Sequence, residues 1–348
     1  MNKLRLGTGT ACLLATALTV GAAQARDQIR IVGSSTVYPF STTVAENFGR
    51  TTAFKTPVVE STGSGGGLKL FCGGIGVKHP DITNASRRIK KSEIKRCADN
   101  GVTDITEVKI GFDGIVIANS KSAPLTSLTL RHVYLALAKI VPGDEKGETL
   151  IDNPYKKWSD IDGALPDVKI EVLGPPPTSG TRDAFAELAL EGGCKTFPGI
   201  KALKKKDKKK YKAVCHGVRE DGAYIEAGEN DVLIVNKLVA NPKAFGVFGF
   251  SFLDQNADRV QGAKVNGVTP TFDDIAMAKY PVSRSMYFYV KKAHVGLIPG
   301  IQEYVAEFTR EASWGPDGYL VDKGLIPLPD DMRRKSRADA AHLAPLSM

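Results

Sequence analysis

Short apolar runs alternate along this chain with longer segments of mixed apolar and polar residues. The short apolar runs are typical of buried strands, and the longer mixed segments are typical of helices that cover a sheet. The predicted strands are Gln28–Val32, Pro57–Glu60, Asp81–Asn84, Val108–Asn119 and Lys169–Leu173. The predicted helices run from about Val37 to Arg50, from near Leu68, from about Ser92, and from about Asp183 to Leu190. This alternation indicates an α/β fold with mainly parallel sheets.

The length and composition are those of an ordinary folded protein. The chain has 348 residues, of which 42% are hydrophobic and 24% are charged. These proportions exclude collagen, a disordered tail protein and a disulfide-dense miniprotein. At about 150 residues per domain, the length predicts about two domains, each large enough to bury its own core.

The first 25 residues have the pattern of a secretory signal peptide. Lys3 and Arg5 form a positive start, Ala11–Val20 is apolar, and Ala23-Gln24-Ala25 is a small-residue cleavage site. The apolar run is shorter than the roughly 20 residues that a membrane span needs, although a retained anchor is the alternative. We therefore expect cleavage after Ala25 and export to the periplasm.

The positive charge of the chain is concentrated in one segment. The formal net charge is +9, and it becomes +7 once residues 1–25 are removed with their two cations. The run Lys201–Lys212 holds eight lysines and one aspartate, which accounts for that whole excess. We expect a solvated loop here, with an anion-attracting or surface-binding loop as the alternative. A nucleic-acid-binding face is not expected, because arginine is absent and aromatic residues do not alternate with the lysines.

Four cysteines remain after the signal peptide, and an exported protein meets an oxidising compartment in which disulfides persist. Three pairings are possible. We favour Cys72–Cys97 and Cys194–Cys215, because the members of each pair are close in sequence, and the second pair would tie the ends of the lysine-rich segment. A zinc site is the alternative, but no CxxC spacing supports it.

A turn rich in hydroxyl groups or glycine follows four of the predicted strands and directly precedes a helix. The four turns are 33–36, 61–67, 85–88 and 174–181. Each could be an ordinary helix cap on its own. However, helix N-termini carry unpaired N–H groups and partial positive charge, and in open α/β sheets such turns lie where ligands bind. Four turns of this kind, two of them beside an arginine, predict a site for an oxyanion.

The sequence favours a site that holds this anion without transforming it. The glycine-rich turn does not match a dinucleotide fingerprint, because Leu68 stands where a glycine is needed. No GxSxG or HExxH motif is present, and no nucleophile has an evident base beside it. We therefore expect neither an enzyme nor a cofactor.

At these turns the chain resembles the phosphate-binding proteins of bacterial phosphate ABC importers. The resemblance rests on an ordered set of stretches that spans nearly all of the mature chain. They are GSSTVYPF (33–40), STGSGGGLK (61–69), ITNASRRIKKSE (82–93), GFDGIVIAN (111–119), PPPTSGTRDAF (175–185), FGVFGF (245–250) and YPVSRSMYFYV (280–290).

The resemblance implies a two-lobed type II periplasmic binding protein with its ligand in the cleft between the lobes. Lobe 1 is expected to comprise residues 26–112 and 251–330, and lobe 2 residues 113–250. The chain is expected to cross between them near Phe112–Gly114 and Phe248–Phe250, where glycines interrupt strands. Residues 331–348 are expected to form a polar, mobile tail.

The resemblance also implies most of the ligand-binding residues, which carry hydroxyl or backbone donors. They are Ser35, Thr36, Val37, Ser64, Ser179, Gly180 and Thr181. Two positions depart from the pattern of the family. Arg87 stands where a carboxylate would accept the proton of phosphate, and Pro175 stands where a charge-binding arginine is expected. We predict that Arg87 and Arg182 contact the anion, and that Glu60, Asp113 or Asp183 replaces the missing acceptor.

The function implied by the resemblance is to bind inorganic phosphate in the periplasm and to deliver it to an ABC permease. The protein is expected to be a monomer. Because the usual acid is missing, a receptor for another oxyanion or small acid is one alternative. A surface or matrix protein that uses the lysine-rich segment is another, and a phosphoester hydrolase would need a nucleophile or metal cluster that the sequence lacks.

Overall fold

The computed structural model describes residues 26–228 and 231–347. The predicted signal peptide, residues 1–25, lies outside the described residues. Arg26, where the predicted mature chain begins, donates to the buried carboxylate of Asp81 and to the carbonyl oxygen of Val77. None of the described helices is long and apolar enough to span a membrane.

The chain first builds a small parallel sheet and then a long strand that leaves it. In chain order these elements are β1 (Arg30–Gly33), α1 (Tyr38–Thr51), β2 (Val58–Ser61), α2 (Ser64–Phe71), β3 (Ile82–Ala85), α3 (Lys91–Asp99) and β4 (Ile105–Ser120). Strand β1 pairs in parallel with both β2 and β3. The strand ends that precede α1 and α2 therefore lie at the same edge of the sheet.

The second part of the chain extends this sheet through β4, forms two small two-stranded sheets of its own, and adds the helices that cover them. Its elements are β5 (Ser127–Leu128), α4 (Leu130–Leu137), β6 (Ile140–Pro142), β7 (Leu150–Asp152), β8 (Val172–Gly174), α5 (Gly180–Phe185), α6 (Glu191–Cys194), α7 (Pro198–Lys206), α8 (Lys208–His216), β9 (Tyr224–Glu226), α9 (Asp231–Ala240), β10 (Phe245–Gly249), α10 (Phe250–Gln255), β11 (Val260–Gly262), β12 (Lys264–Val265) and α11 (Phe272–Ala276). A π-helical segment, Ala186–Leu190, joins α5 to α6.

The chain then returns to the first sheet. The returning elements are β13 (Ser283–Lys291), α12 (Ile301–Phe308), α13 (Glu311–Trp314) and α14 (Asp330–Ala341). Strand β13 runs antiparallel between β3 and β4, and it pairs with β4 from Gly114 back to Ile105. From Ile115 onward β4 pairs instead with β10, and β11 pairs with its end.

The change of partner along β4 divides the molecule into two lobes. Lobe 1 consists of residues 26–114 and 283–347, and lobe 2 consists of residues 115–282. Each lobe has its own hydrophobic core, with Phe48 and Trp314 fully buried in lobe 1 and Trp158 and Phe248 fully buried in lobe 2. The α/β class and the two-lobed architecture are confirmed, with a mixed sheet whose antiparallel pairs all involve β4 or β13.

The predicted return to lobe 1 at residue 251 is wrong. Leu253, Val260, Ile275 and Val282 pack in the core of lobe 2, and β11 adds to the sheet of that lobe. The glycine at the end of β10 marks the turn into α10 and not a crossing between lobes. The chain returns some thirty residues later, where β13 begins at Ser283.

The C-terminal segment is a docked helix and not the predicted polar tail. Within α14, Arg333 and Ser336 are buried, and the Ser336 hydroxyl donates to the Lys109 carbonyl oxygen of β4 over 2.8 Å. Beyond the helix, the Leu346 N–H donates to the Ile105 carbonyl oxygen over 2.8 Å. The polar composition of this segment reflects its outer face, while its few inward side chains attach it to lobe 1.

The lysine-rich segment is helical and not a loop. It forms α7 and α8, with Pro198 in the first turn of α7 and Asp207 capping α8 through the Lys210 N–H. Lysine is a good helix former, and Ile200, Tyr211 and Val214 provide the buried face. We call residues 198–216 the lysine hairpin.

Both predicted disulfides, Cys72–Cys97 and Cys194–Cys215, are confirmed. The first joins α2 and α3 in lobe 1. The second joins the end of α6 to α8 and so closes the base of the lysine hairpin. All four cysteines of the described residues are engaged in these bonds, which removes the zinc alternative.

Candidate functional site

Two adjoining cavities lie between the lobes, and we call them the first and second cavities. The first has a volume of about 410 Å³ and is lined by the beginnings of α1, α5, α9 and α10. The second has a volume of about 600 Å³ and is lined by the start of α2, the end of β3, the π-helical segment and α8. Four helices thus begin beside the first cavity, and the partial positive charge at helix N-termini favours an anion there.

The turn between β1 and α1 forms the lobe 1 wall of the first cavity. Gly33 has a φ of +137°, and a side chain there would overlap the Asn84 carbonyl oxygen of β3. This close approach lets the following residues, Ser35 and Thr36, reach the cavity. Thr36 is only 7% exposed, and the adjacent Val37 buries its side chain in the core of lobe 1.

The start of α5 forms the opposite wall, from lobe 2. The Ser179 hydroxyl caps the helix by accepting from the Thr181 N–H over 3.2 Å. Gly180 lies so close to lobe 1 that a Cβ there would be 3.0 Å from the Ser35 carbonyl oxygen. The two predicted donor turns therefore face each other across a closed cleft.

Arg284, which was not among the predicted site residues, is the principal cation between the cavities. Its side chain is 9% exposed and lines the second cavity. Its guanidinium donates to the Thr36 hydroxyl oxygen, to Asp113 Oδ2 over 3.2 Å and to Glu187 Oε2 over 2.7 Å. Because Glu187 belongs to lobe 2, this arginine also joins the two lobes.

A signal for Arg284 exists in the sequence, inside the stretch YPVSRSMYFYV. The side chains of Met286, Phe288 and Val290 follow it at intervals of two and lie buried in the core of lobe 1. Alternate residues of a strand lie on the same face of the sheet, so Arg284 is a charged residue on the face that these apolar side chains occupy. A charged side chain in that position has to find buried partners or a ligand.

Two carboxyl groups face the first cavity and could replace the missing acceptor. The Asp113 side chain is 14% exposed; its burial raises its pKa, while the Arg284 guanidinium opposes the rise. Burial raises the pKa of Asp231 to about 6, and a hydrogen bond from the Gly249 N–H over 3.3 Å opposes the rise only in part. Asp113 was among the predicted acceptors, whereas Asp231 was not.

The other two predicted acceptors are engaged elsewhere or turned to solvent. Glu60 accepts from the Arg30 guanidinium over 2.9 Å, and Asp183 is exposed on α5. Neither lines the first or the second cavity.

Ser64 and Arg87 lie at the second cavity and not at the first. The Ser64 hydroxyl oxygen accepts from the Ser86 N–H over 3.0 Å, which ties the start of α2 to the end of β3. The Arg87 guanidinium makes a two-bond ion pair with Glu93, at 2.7 and 2.9 Å. This pair holds the guanidinium against the wall of the cavity, where its contact with a bound anion stays a prediction.

The structure does not bring Arg182 to either cavity. Its guanidinium lies over the ring of Tyr224, 4.2 Å from the ring centre, and donates to the Pro175 carbonyl oxygen over 3.1 Å. This side chain leaves the helix on the face of α5 that packs beside β9. Arg182 therefore does not reach the cleft, whereas Arg284 on β13 lies between the two cavities and Lys323 lines the first.

Comparison with known proteins identifies the family and the fold. The family model of the PBP superfamily domain matches residues 19–312. The SphX protein of Synechococcus elongatus is 31% identical over 309 residues, covering 85% of this chain and 76% of the relative. The phosphate-binding protein PstS of Staphylococcus saprophyticus is 27% identical, covering 88% and 83% respectively.

Among solved structures, a possible phosphate-binding protein from Planctomyces limnophilus superposes with a TM-score of 0.71. It is 24% identical in sequence, and the match covers 91% of this chain and 98% of the other. At this identity the likeness supports the fold. The two-lobed architecture, the matched family model and the relatives at similar length together show that the chain belongs to the PBP superfamily of periplasmic binding proteins, with the SphX and PstS proteins.

Proposed function

We propose that this chain binds inorganic phosphate in the first cavity and delivers it to the permease of an ABC importer. The observation that carries the proposal is the Arg284 guanidinium, held between the lobes against Thr36 and Asp113, both of which line the first cavity. PstS relatives are named as phosphate-binding proteins. The superfamily consists of substrate-binding proteins and not enzymes.

The donors around the first cavity suit a tetrahedral oxyanion. Thr36, Ser179 and Thr181 provide hydroxyl groups, and the starts of α1 and α5 lie against the cavity from opposite lobes. Arg284 supplies a planar cation whose parallel N–H groups match the geometry of an oxyanion. An anion here would meet charge-assisted hydrogen bonds from both lobes.

The buried acids argue for phosphate over sulfate. At neutral pH phosphate still carries a proton that a carboxylate can accept, while sulfate carries none. Asp113 and Asp231 both face the first cavity, and an ionised carboxylate beside sulfate would repel it without gaining a hydrogen bond. Arg87 stands where the family has a carboxylate, so the acceptor for the phosphate proton is instead Asp113 on β4 or Asp231 on α9.

Export to the periplasm supports the same function. The predicted signal peptide would send the mature chain to an oxidising compartment, and two disulfides fit that environment. Closed lobes that grip a ligand are the form that a permease would receive. We expect the mature chain to act as a monomer.

Titration calorimetry of the phosphate-stripped mature chain tests the proposal. Phosphate should bind with one ion per chain, and sulfate should bind at least about a hundredfold more weakly, a difference of roughly 2.7 kcal/mol. Comparable binding of both ions would make the chain a receptor for a broader set of oxyanions. Binding of neither ion would reject the proposal.

A cellular measurement tests delivery. Cells that lack this chain should take up phosphate more slowly at low external concentration, and the intact gene should restore uptake. The Arg284→Ala variant, exported at the same level, should not restore it. Normal uptake without the chain would contradict a role in transport.

A further inference from the structure

Most cations of the lysine hairpin have no counterion in the protein. All eight of its lysines are exposed, and Lys204 forms an ion pair with Glu191 over 2.7 Å. The other seven form no salt bridge with any carboxylate of the described residues; they are Lys201, Lys205, Lys206, Lys208, Lys209, Lys210 and Lys212. Seven positive charges less that of Asp207, the one acid of the hairpin, leave a charge of +6 that the protein does not compensate.

This charge is also the whole excess of the molecule. The mature chain has a formal net charge of +7, and the run Lys201–Lys212 accounts for all of it, which leaves the rest of the mature chain neutral. The positive field is therefore one-sided. An anionic surface would attract the molecule by the hairpin and so orient it.

The acids nearest along the fold lie at the base of the hairpin and not at its tip. The loop 143–149 contacts the start of α7, where the Gly199 N–H donates to the Lys146 carbonyl oxygen over 2.8 Å, and Glu145 and Glu148 of this loop are exposed. From Gly199 to Lys206 the helix rises by roughly 10 Å. This is about one Debye length at physiological ionic strength, so the lysines of the tip are largely screened from these acids.

The tip is convex and firmly attached. Residues 204–210 are all exposed and line neither cavity of the cleft. The Cys194–Cys215 disulfide holds the base of the hairpin, and Glu191 of α6 accepts from the buried Tyr211 over 3.0 Å. A rigid convex surface does not enclose a small ligand, but it can lie against an extended one.

The hairpin also lacks the apolar contact area of a protein interface. Ile200, Tyr211 and Val214 are buried, and Leu203 is half-buried against the core of lobe 2. Residues 198–216, which the structure describes completely, thus present no fully exposed large apolar side chain. The buried centre of a stable protein interface is mostly apolar, so a purely lysine-bearing surface favours a hydrated anionic partner.

We propose that the lysine hairpin attaches the protein to a membrane surface through the anionic headgroups of its lipids. Four to eight basic residues beside a membrane are enough for such attachment, and no side chain has to enter the hydrocarbon. Lys212 and His216 also line the second cavity, so the hairpin flanks the cleft between the lobes. Attachment therefore brings the cleft close to the membrane. The proposal goes beyond ligand binding and does not depend on which ligand the cleft holds.

Cosedimentation of the mature chain with lipid vesicles tests the proposal. Vesicles of phosphatidylcholine with about one third phosphatidylglycerol should bind the chain at low ionic strength, and vesicles of phosphatidylcholine alone should not. Because the attraction is electrostatic, about 0.5 M sodium chloride should release the bound chain. Saturating phosphate should leave the partition unchanged, since the hairpin tip lies outside both cavities.

A variant of the tip assigns the binding to the hairpin. Lys205→Gln/Lys206→Gln/Lys208→Gln/Lys209→Gln removes four exposed ammonium groups and keeps the Lys204–Glu191 ion pair. Glutamine is a comparable helix former, so the fold should persist, as thermal unfolding verifies. The partition onto the anionic vesicles should fall at least about thirtyfold.

The matched control removes the same charge from scattered positions. Lys78→Gln/Lys169→Gln/Lys237→Gln/Lys264→Gln changes four exposed lysines outside the hairpin that form no salt bridge within the described residues. Its partition should stay within about threefold of the wild type. An equal loss in both variants would overturn the proposal, because it would reflect net charge alone.

Two results with the wild-type chain would also overturn it. Equal binding to the neutral and the anionic vesicles would mean that headgroup charge is not recognised. Absence of binding to the anionic vesicles, with retention on immobilised polyglutamate, would assign the hairpin to an acidic protein surface instead.

Failure of the proposed function would look different. The tip variant keeps every residue that lines the two cavities, so its affinity for phosphate should stay within about twofold of the wild type. If the wild-type chain binds anionic vesicles but not phosphate, the phosphate site is wrong and the membrane contact stands. If it binds phosphate but not the vesicles, the reverse holds.

Discussion

At the residue scale, the chemistry of the cleft depends on charged side chains that are removed from solvent. Arg284 extends from the apolar side of a strand and finds three partners, in Thr36, Asp113 and Glu187. A buried cation of this kind is costly unless it is paired, and each partner reduces that cost. An arriving anion would meet a guanidinium that is already oriented and therefore loses little side-chain entropy on binding.

We predict that Arg284→Ala weakens phosphate binding at least about tenfold, because a charge-assisted hydrogen bond contributes roughly 1.5–3 kcal/mol. Loss of the guanidinium also leaves Asp113 and Glu187 without their cation, so both would repel the ligand. Arg284→Lys should recover only part of the affinity, since an ammonium lacks the planar fork. Calorimetric titration measures these differences.

Two other arginines serve as controls for that prediction. Arg88→Ala removes a surface ion pair with Glu107 outside both cavities and should leave phosphate affinity within about twofold. Arg182→Ala should also have a small effect, because that side chain lies against Tyr224. A tenfold loss in Arg182→Ala would restore the assignment of this residue to the site.

The raised pKa of Asp231 predicts that the selectivity for phosphate over sulfate depends on pH. Its pKa is raised to about 6 by burial, so the carboxyl is protonated below that pH and ionised above it. When protonated it can donate a hydrogen bond to sulfate, and when ionised it repels sulfate. Sulfate affinity should therefore rise as the pH falls through about 6. In Asp231→Asn this pH dependence should disappear, as followed by titration between pH 5 and 8.

The same substitution has a consequence for stability whose sign follows from the raised pKa. A carboxyl whose pKa is higher in the folded state stabilises the fold below its ordinary pKa of 3.8, and that contribution is lost as the pH rises through about 6. Asp231→Asn should thus raise the free energy of unfolding at pH 7, by on the order of 3 kcal/mol. Urea unfolding at pH 7 and pH 4 checks this, and a destabilised variant at pH 7 would show that the ionised carboxylate has a partner.

At the element scale, helix α14 shows how a polar segment can be part of the fold. Arg333 is buried in it and donates to Glu311 over 3.0 Å and to the Leu328 carbonyl oxygen over 2.8 Å. The next residue along the helix, Arg334, is exposed. Two adjacent arginines of the same helix thus occupy different environments, which composition alone does not distinguish.

We predict that Arg333→Ala lowers the free energy of unfolding by about 1–3 kcal/mol, because it removes several hydrogen bonds and leaves a buried carbonyl oxygen unpaired. Arg334→Ala should change it by less than about 0.5 kcal/mol, since the side chain is exposed. Urea unfolding of the two variants measures the difference. Equal effects would mean that α14 is not attached through Arg333.

At the scale of the whole molecule, closure of the lobes depends on the space between two turns. Gly180 of lobe 2 approaches Ser35 of lobe 1, and the Arg284–Glu187 ion pair crosses the same gap. Since each lobe has its own core, the lobes can separate without unfolding. Binding free energy is therefore coupled to closure, and whatever obstructs closure should weaken binding.

We predict that Gly180→Ala weakens phosphate binding about tenfold, because its Cβ would lie 3.0 Å from the Ser35 carbonyl oxygen only when the cleft is closed. Alanine is a good helix former at this position, so the phosphate-free protein should keep its stability. Small-angle X-ray scattering should show a more open form at saturating phosphate. Gly76→Ala, where a Cβ would meet no other atom within 4 Å, is the control. Unchanged affinity and compactness would place the hinge motion elsewhere.

The sequence by itself determined the local parts of this protein. The α/β class, the donor turns at 33–36 and 174–181, and the two disulfides depend on residues close together in the chain, and short-range patterns record them. The resemblance to phosphate-binding proteins rests on the same short stretches, and it therefore indicates the same class and the same turns. Asp113, one of the predicted acceptors, lies inside one of those stretches and lines the first cavity.

Only the tertiary structure decided which distant residues meet. Arg284 reaches Thr36 across 248 positions in the chain, and Asp231 faces the first cavity from a helix that carries no recognised motif. Arg182 is adjacent to a donor turn but is turned away, because the direction of a side chain depends on the neighbouring strand as well as on its own helix. The return to lobe 1 at residue 283 and the docking of α14 likewise depend on long-range packing. Such packing decides which distant segments come into contact, and the cleft forms where segments from both lobes meet.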